Sequence, residues 1–383
     1  MDAMPDPRVV LVHDWLTGMR GGEKCLEVLC GRWRSAPLYT LLHRRGSVTP
    51  SIERRPVHTS WMQQLPGVQH YYRYLLPLMP TAARGWRIPS CDLVVSLSHC
   101  VAKAVQVPRG AAHVCYCFTP MRYAWHMRDA YFQKAKTSLK GRMLEVLLTR
   151  LREWDRNTAA GVSHFVAISK TVQRRIRECY GRESAVIYPP VDTTFFSPGS
   201  DPRDSFYLTV SAFAPYKRLD LAIEACNRLK RRLIVVGSGQ ERRRLQALAG
   251  PTIQFLGWQR DKVLRDLFRR SKALLFPGEE DFGIVPLEAQ ACGAPVIAFG
   301  KGGATETIVG PGSSREPTGL FFEDQRVDAL AEAIERFEKS TGDYRDSAAR
   351  KQALRFNRRR FADEIFAFVG SVLSPAAPQR RAA

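Results

Sequence analysis

Two glutamates, Glu280 and Glu288, could act on one ligand because they flank a short loop that follows an apolar strand. The stretch reads FPGEEDFGIVPLEAQ from Phe276, and Pro286 stands where a helix can start. Glu280 is therefore expected in the strand-to-helix loop, and Glu288 on the first turns of the helix. Two acidic side chains thus bracket the start of one helix.

The loop between these glutamates is a candidate ligand site built from the main chain. The first amides of a helix have no partner within the helix, and here they belong to Phe282, Gly283 and Ile284. Such amides form a donor array for sugar hydroxyls or phosphate oxygens, and Gly283 permits a ligand to approach the backbone. The structural alternative is that both glutamates are exposed carboxylates near a helix N-terminus.

Strand and helix patterns alternate along the chain, which is typical of parallel sheets covered by helices. The chain opens with an apolar run at 8–13, a loop that contains Gly21 and Gly22, and a helical pattern at 23–33. Further strands are predicted at 92–97, 112–117, 164–168, 206–211, 232–236, 253–256, 273–276 and 295–299. The sequence therefore predicts the α/β class, with two Rossmann-like doubly wound domains that face each other across a cleft.

A length of 383 residues favours two domains. The best linker is the Pro-rich stretch from Tyr188 to Pro202, because a residue before proline avoids the helical region. We expect an N-terminal domain over residues 1–195 and a C-terminal, ligand-binding domain over residues 203–360. A helix at 361–373 can pack back on the first domain, and residues 374–383 are expected to form a flexible tail.

The net charge is +21, from 58 basic and 37 acidic residues. A field of this sign attracts polyanions such as nucleic acid, anionic lipid head groups or phosphorylated substrates. The basic residues are spread along the chain and belong to no nucleic-acid recognition motif, so no nucleic-acid partner is predicted. Solvated helix faces and an anionic membrane surface are the two remaining explanations.

The nine cysteines lack zinc-ligand spacing and indicate reduced thiols in a cytosolic compartment. Neither a metal ion nor another cofactor is expected. The sequence shows no signal-peptide pattern and no apolar window of the roughly 18 residues that a membrane span requires. The predicted location is therefore cytoplasmic, and a membrane contact would be peripheral, at the inner face.

Two segments combine cations with aromatic or apolar residues, as interfacial segments do. His70–Ile88 holds tyrosine, tryptophan, arginine and leucine, and Gln133–Asn157 has the pattern of a basic amphipathic helix. The alternative is that the apolar stripe of this helix packs on the domain core.

Over nearly its whole length the chain resembles family 4 of the retaining glycosyltransferases, which have the GT-B fold. It looks most similar to the lipid-linked mannosyltransferases of O-antigen and exopolysaccharide assembly. The resemblance rests on an ordered set of stretches, of which the last is the most specific. They are HDWLTGMRGGEK from His13, YCFTPMRYAW from Tyr116, VAIS from Val166, VIYPPVD from Val186, VSAFAPYKRLD from Val210, VVGSG from Val235 and FPGEEDFGIVPLEAQACGAPVIAFGKGGATE from Phe276.

The resemblance implies a nucleotide-sugar donor site in the second domain. Glu288 would hold the ribose hydroxyls of the donor, a role that suits a carboxylate acceptor. Glu280 would face the donor sugar near the reacting carbon. The main-chain amides that would bind the sugar hydroxyls are those of Asp281, Phe282, Gly283 and Ile284.

The resemblance also implies how the phosphates are bound. Lys217 and Arg218 would neutralise the leaving diphosphate in place of a metal ion. Gly21 and Gly22 would let the backbone of the first domain approach the same phosphates. For these positions the structural alternatives are a surface charge pair and a tight turn.

Two positions depart from the family pattern. Relatives commonly have a histidine where Phe118 stands, and many have an arginine where Ala212 stands. His99 is the best catalytic substitute for the histidine, although it could also be an ordinary core or surface residue. Arg218 can supply the missing positive charge. A non-catalytic relative that binds nucleotide sugars remains open on these grounds.

The function that the resemblance implies is transfer of a hexose with retention of configuration. Mannose from GDP-mannose is favoured as the donor, and a lipid-linked saccharide of bacterial polysaccharide assembly as the acceptor. A UDP-sugar donor is the alternative, because the shared motifs do not identify the base.

Overall fold

The computed structural model describes residues 6–125 and 139–374. Residues 375–383 of the predicted tail and residues 133–138 of the second predicted interfacial segment lie outside the described residues. The chain forms two units, one with the residues up to Tyr188 and from Phe361 onward, the other from Pro189 to Arg360. Each unit contains one parallel sheet.

All of the predicted linker except Tyr188 belongs to the second unit. Phe196 is 1% exposed and packs in the core of that unit, and Val191 forms a parallel bridge with Asn357. The boundary therefore lies at Tyr188, a few residues before the expected end of the first domain at residue 195. The physical reason is that two aromatic side chains, Phe195 and Phe196, gain more by packing than an exposed linker would allow.

The first unit has a sheet of seven parallel strands in the order β3-β2-β1-β4-β5-β6-β7. The strands are β1 Val9–His13, β2 Leu38–Thr40, β3 Val57–Thr59, β4 Leu93–Ser98, β5 Ala112–Cys117, β6 His164–Ala167 and β7 Ser184–Val186. The helices are α1 Gly21–Arg32, α2 Pro50–Glu53, α3 Val68–Tyr71, α4 Met79–Arg84, α5 Leu139–Thr158 and α6 Lys170–Tyr180. Short 3-10 segments lie at Trp61–Gln64, Tyr72–Leu78, Ala102–Ala104 and Ala159–Gly161.

The second unit has a sheet of six parallel strands in the order β10-β9-β8-β11-β12-β13. The strands are β8 Tyr207–Val210, β9 Leu233–Val236, β10 Ile253–Gly257, β11 Ala273–Phe276, β12 Val296–Phe299 and β13 Gly319–Phe322. The helices are α7 Leu219–Leu229, α8 Arg242–Ala247, α9 Asp261–Arg270, α10 Ile284–Ala291, α11 Ala304–Thr307, α12 Val327–Lys339 and α13 Asp346–Leu354. Short 3-10 segments lie at Pro215–Lys217 and Thr341–Asp343.

A last helix, α14 Arg358–Leu373, begins in the second unit and continues in the first. Its apolar residues pack on the first unit. The ring of Phe361 lies 5.6 Å from that of Tyr116 on β5, and the ring of Phe366 lies 5.5 Å from that of Trp33.

Both sheets have the Rossmann strand order, which confirms the predicted pair of doubly wound α/β sheets. The central strands are buried along their length, as β1, β4 and β11 show, because helices cover both faces of a parallel sheet. In this order the first and fourth strands are neighbours whose connections run in opposite directions. The crevices where ligands of such sheets bind therefore lie at the carboxyl ends of β1 and β4, and of β8 and β11.

The two basic segments of the first unit each bury one face and expose the other. In the first segment Tyr72 and Met79 are buried in the core, whereas Tyr74 is 86% exposed. In helix α5 Leu151 is buried, and Met143 and Val146 are 68% and 53% exposed. Core packing and an exposed apolar face thus coexist in both segments. No helix in residues 6–125 or 139–374 has both the length and the apolar character needed to cross a bilayer.

Helix α5 is held on the sheet by a buried ion pair. Lys103 Nζ lies 3.0 Å from Asp155 Oδ1, and the two side chains are 2% and 0% exposed. The indole of Trp125 and the hydroxyl of Tyr180 both donate to Asp155 Oδ2 at 2.8 Å. These hydrogen bonds supply the partners that a buried ion pair needs. They fix which face of α5 points away from the core.

Glu338 joins three elements at the amino ends of the strands in the second unit. Its carboxylate on α12 accepts hydrogen bonds from Arg231, Lys272 and Tyr207 at 2.8–3.0 Å. The hydrogen bond from Arg231 is the main reason why the pKa of Glu338 falls to about 2, against the opposing effect of burial. The charge-assisted bonds therefore stabilise the fold only while Glu338 is ionised.

We expect Glu338→Gln to lower the free energy of unfolding by about 1.5–3 kcal/mol near neutral pH, because charged hydrogen bonds are lost. The folded pKa is depressed, so the advantage of the wild type exists above pH 4.5 and disappears as the pH falls toward 2. Urea unfolding of both proteins across this range measures the difference. Glu332→Gln, at an exposed position of the same helix, is the control. A constant difference down to pH 2 would contradict the assignment.

Candidate active site

Gly278 brings the loop after β11 against the loop after β8. A Cβ atom on Gly278 would lie 3.0 Å from both the Cα and the carbonyl oxygen of Lys217, closer than ordinary side chains approach backbone. The main chains can therefore touch only because residue 278 has no side chain. This contact places Lys217 next to the residues that follow β11.

Two further glycines fasten the loop after β12 to the same place. The amide of Gly303 donates to the carbonyl oxygen of Glu280 at 2.7 Å. A Cβ on Gly303 would lie 2.2 Å from Phe282 Cα, and Gly302 has a φ of +70°. These close approaches fix the backbone from Glu280 to Phe282.

The loop after β9 is held in a similar way. A Cβ on Gly237 would lie 1.8 Å from the carbonyl oxygen of Ser211, and one on Gly239 would lie 2.5 Å from that of Phe213. The GSG sequence therefore has a packing function at the end of β8. Four strand-end loops of the second unit are thus gathered by main-chain contacts.

Lys217 and Glu280 form an ion pair in this loop cluster. Their side chains are only 14% and 12% exposed, so water screens the pair weakly. The ammonium group of Lys217 also lies 4.9 Å from the centre of the Tyr216 ring. The structure thus brings together two candidate catalytic residues that are far apart in sequence. A cation held in this way can neutralise an anion that enters the crevice.

The side chain of Arg218 contacts a different carboxylate from that of Lys217. Its backbone is left-handed, with φ 49° and ψ 39°, and its guanidinium group forks onto Asp220 with Nε–Oδ1 and Nη2–Oδ2 distances of 3.2 Å. Arg244 lies 3.8 Å from the same carboxylate. The two residues of the predicted Lys-Arg pair therefore have different partners, because Lys217 pairs with Glu280 and Arg218 pairs with Asp220. Sequence reasoning did not identify Asp220, although it stands only two residues further on.

The predicted amide array lies at the start of α10. Gly283 is the residue before the helix, with φ +95° and ψ 67°, and Ile284 is its first residue. The amides of the first turn have no partner within the helix and point along its positive end. Asp281 and Phe282 are each 3% exposed, and Glu288 is 5% exposed. Glu280 and Glu288 are thus not exposed carboxylates near a helix N-terminus.

In the first unit Gly21 and Gly22 begin helix α1. A Cβ on Gly22 would lie 3.2 Å from His13 Nε2 and 3.2 Å from the edge of the Phe118 ring. Residue 22 therefore has little room for a side chain. Burial lowers the pKa of His13 against the opposing effects of Glu23 and Asp14, so this ring is neutral at neutral pH.

His99 follows β4 and lies beside a residue that sequence reasoning missed. Its Nδ1 is 3.0 Å from Oδ2 of Asp14, which follows β1 and is fully buried. Burial would raise the pKa of Asp14, but the His99 ring and the His99 amide lower it to about 2. The only available signal for Asp14 was an acidic residue directly after a strand whose first four residues are apolar.

We expect Gly303→Ala to lower the free energy of unfolding by about 1–3 kcal/mol, because the new methyl group would collide with the backbone of Phe282. Thermal or urea unfolding measures this difference. Gly342→Ala is the matched control, since a Cβ there meets no heavy atom of the described residues within 4 Å. Equal stability of the two variants would show that the loop contact is not required.

Comparison with known proteins finds a family match over the stretch that holds Lys217 and Glu280. Residues 190–354 match the family described as Glycosyl transferases group 1. The D-inositol 3-phosphate glycosyltransferase of Mycobacteroides abscessus is 31% identical over 218 residues, which cover 51% of this chain and 48% of that protein. The chain thus spans about half the length of this curated relative.

Two other relatives are named for mannose transfer. The GDP-mannose-dependent monoacylated alpha-(1-6)-phosphatidylinositol monomannoside mannosyltransferase of Corynebacterium glutamicum is 30% identical, over 49% of this chain and 56% of that protein. Human alpha-1,3/1,6-mannosyltransferase ALG2 is 25% identical, over 97% of this chain and 98% of that protein.

Solved structures share the fold at low sequence identity. Anabaena Alr3699/HepE, solved with UDP and glucose, has a TM-score of 0.69 and 19% identity, over 96% of this chain and all of that chain. Sucrose-phosphate synthase from Thermosynechococcus elongatus has a TM-score of 0.70 and 18% identity, over 95% and 99% of the two chains. The protein therefore has the GT-B fold of glycosyltransferases, and its residues 190–354 match Glycosyl transferases group 1.

Proposed function

We propose that the protein is a retaining, metal-independent hexosyltransferase that moves mannose from GDP-mannose onto a lipid-linked saccharide in bacterial polysaccharide assembly. The observation that carries the proposal is the Lys217–Glu280 ion pair at the carboxyl ends of β8 and β11. It lies beside the start of α10 and within the stretch that matches Glycosyl transferases group 1.

The chemistry assigned to these residues is mainly electrostatic. Lys217 neutralises the diphosphate as it leaves, and the first-turn amides of α10 bind the donor oxygens. Glu280 lies against the donor sugar, and Glu288 holds the ribose. In this scheme the side chains and amides do the work of a metal ion. Retention follows if the acceptor attacks from the face that the diphosphate leaves.

The choice of donor rests on relatives rather than on geometry. Two relatives are named mannosyltransferases, one of them GDP-mannose-dependent. A UDP-sugar is the alternative donor, because Lys217, Glu280 and the α10 amides would contact parts that are common to both nucleotides.

The choice of acceptor rests on the distribution of charge. The first unit holds 30 basic and 15 acidic residues, whereas the second holds 28 and 22. Most of the positive surplus therefore belongs to the first unit, and we assign the acceptor to this unit. Exposed Met143 and Val146 on α5 lie near exposed Arg142 and Arg150, which is the composition of a surface that binds anionic lipid. A peripheral position at the cytoplasmic face of the inner membrane fits this surface.

A non-catalytic protein that binds nucleotide sugars is the second candidate. It is favoured by Phe118 and Ala212, the two positions that depart from the pattern of the family that the chain resembles. Arg218, the proposed replacement for the arginine, is engaged by Asp220. Turnover of any donor by the purified protein would exclude this candidate.

Incubation with membranes and radiolabelled GDP-mannose or UDP-glucose tests the activity and the donor together. We expect label from GDP-mannose to enter the lipid fraction, and Glu280→Ala to abolish this transfer. Transfer from UDP-glucose alone would overturn the donor assignment. Binding of both nucleotides without transfer would favour the non-catalytic candidate.

We expect Lys217→Ala to lower kcat by about 100-fold, as for loss of one group that stabilises charge in the transition state. Steady-state kinetics with saturating donor measures the effect. Lys262→Ala removes an exposed lysine of the same unit and should leave kcat unchanged. If both substitutions have equal effects, Lys217 has no special role.

We expect the double variant Met143→Ser and Val146→Ser to bind vesicles of phosphatidylglycerol and phosphatidylethanolamine about tenfold more weakly, because two apolar side chains leave the interface. Sedimentation with vesicles measures binding, and added salt should weaken it further. Val263→Ser, at a 39% exposed position of the second unit, is the control. Unchanged binding of the double variant would contradict a membrane role for α5.

A further inference from the structure

Asp14 is an unusually well satisfied buried carboxylate. It follows β1 and is 0% exposed. Its Oδ2 accepts the amides of His99 and Cys100 at 2.7 and 3.0 Å, and its Oδ1 accepts those of Val101 and Ala102 at 2.7 and 2.8 Å. Four main-chain donors thus tie the end of β1 to the turn after β4. They are enough to satisfy a buried carboxylate without any side chain.

The contact with the His99 ring is additional to these four bonds. His99 Nδ1 lies 3.0 Å from Asp14 Oδ2. The pKa of Asp14 is about 2, so at neutral pH the carboxylate is ionised and can only accept hydrogen bonds. The proton in this contact must therefore belong to Nδ1 of His99. In a neutral ring, Nε2 then carries the lone pair.

The other edge of the ring is the one that a ligand can reach. The His99 side chain is 32% exposed, whereas Asp14 is fully buried, so the exposed part of the ring lies away from Nδ1. Trp15 packs against the ring in a T-shaped contact at 4.5 Å, and Phe118 lies 6.2 Å away. Carboxylate and indole together hold the ring in one orientation.

The remaining ionisable groups nearby do not compete for this ring. His13 Nδ1 is 3.1 Å from the carbonyl oxygen of Trp15 and donates to it. Glu23 accepts the amide of Arg20 at 3.0 Å. Burial raises the pKa of the Cys100 thiol, so that group is neutral. Asp14 is thus the acidic partner of His99 among the described residues around it.

We propose that Asp14 is a positioning residue that holds His99 as its Nδ1–H tautomer and thereby presents Nε2 as an acceptor to a hydroxyl group of the substrate. The inference rests on the proposed function for the identity of the substrate. The tautomer and the orientation do not depend on it. Both residues lie at the carboxyl ends of β1 and β4, where ligands of this sheet order bind.

The tautomer can be measured on the intact protein without any activity. Imidazole 15N NMR at alkaline pH should show His99 with its proton on Nδ1, the less common tautomer of free histidine. His99→Gln identifies the signal by its loss. In Asp14→Asn the proton should move to Nε2, because the carboxylate that favours Nδ1–H is gone. A wild-type His99 with its proton on Nε2 would overturn the proposal, even if Asp14→Asn failed to fold.

A double-mutant cycle separates positioning from simple folding. We expect His99→Ala to lower kcat by about 100-fold, and Asp14→Asn to cause much of the same loss. In the His99→Ala background Asp14→Asn should change kcat by no more than about twofold, because its effect acts through the missing ring. Full additivity would overturn the positioning role. Glu338→Gln is the control, as a stability change with no contact to His99.

The two measurements also separate this inference from the proposed function. In one outcome, the protein turns over no donor, but wild-type His99 has its proton on Nδ1 and the Asp14→Asn variant does not. This result would support the positioning of His99 by Asp14 and contradict the proposed transferase activity. In the other outcome, transfer occurs but His99 has its proton on Nε2. This result would support the proposed transferase activity and contradict the positioning role of Asp14.

Discussion

The candidate site of the second unit depends on the absence of a side chain at residue 278. Because Gly278 lets the loop after β11 touch the backbone of Lys217, the ammonium group can reach Glu280 in a place that water screens weakly. Burial removes water from both charges of an ion pair, and their mutual attraction offsets this cost only if the two groups stay in place. The contacts of Gly302 and Gly303 keep Glu280 in place, so main-chain geometry controls the electrostatics of the site.

The same strand order is used in different ways by the two units. In each, the first and fourth strands are neighbours, and the loops that follow them meet. In the second unit these loops bring a cation and an acid together beside a helix N-terminus, which suits phosphate and sugar oxygens. In the first unit they bring together an ionised aspartate and a histidine, which suits a hydroxyl group. The chemistry therefore follows from the residue types at one topological position.

Much of the fold could be predicted from sequence because buried parallel strands are apolar runs. Strands β5 and β11 have the bounds that their patterns indicate. The short strands β2, β3, β7 and β13 were missed, since three or four residues carry little pattern and are defined by pairing. Glu280 was identified by its place in a strand-to-helix loop, whereas Lys217 was found through a family resemblance. Asp14 and His99 are 85 residues apart, so their contact is visible only once β1 and β4 are neighbours.

The departure at Phe118 gains a physical explanation from this contact. Its ring lies 6.2 Å from that of His99 and 6.4 Å from that of His13. Phe118 is partly buried, and a histidine at this position would be a third imidazole beside His13 and His99, while the nearby Asp14 already has five hydrogen-bond donors. Any hydration that such a ring lost would have to be replaced by a matching acceptor. Phenylalanine avoids this cost. The presence of Phe118 and the placement of His99 are thus compatible parts of one arrangement, in which a single histidine near Asp14 remains accessible.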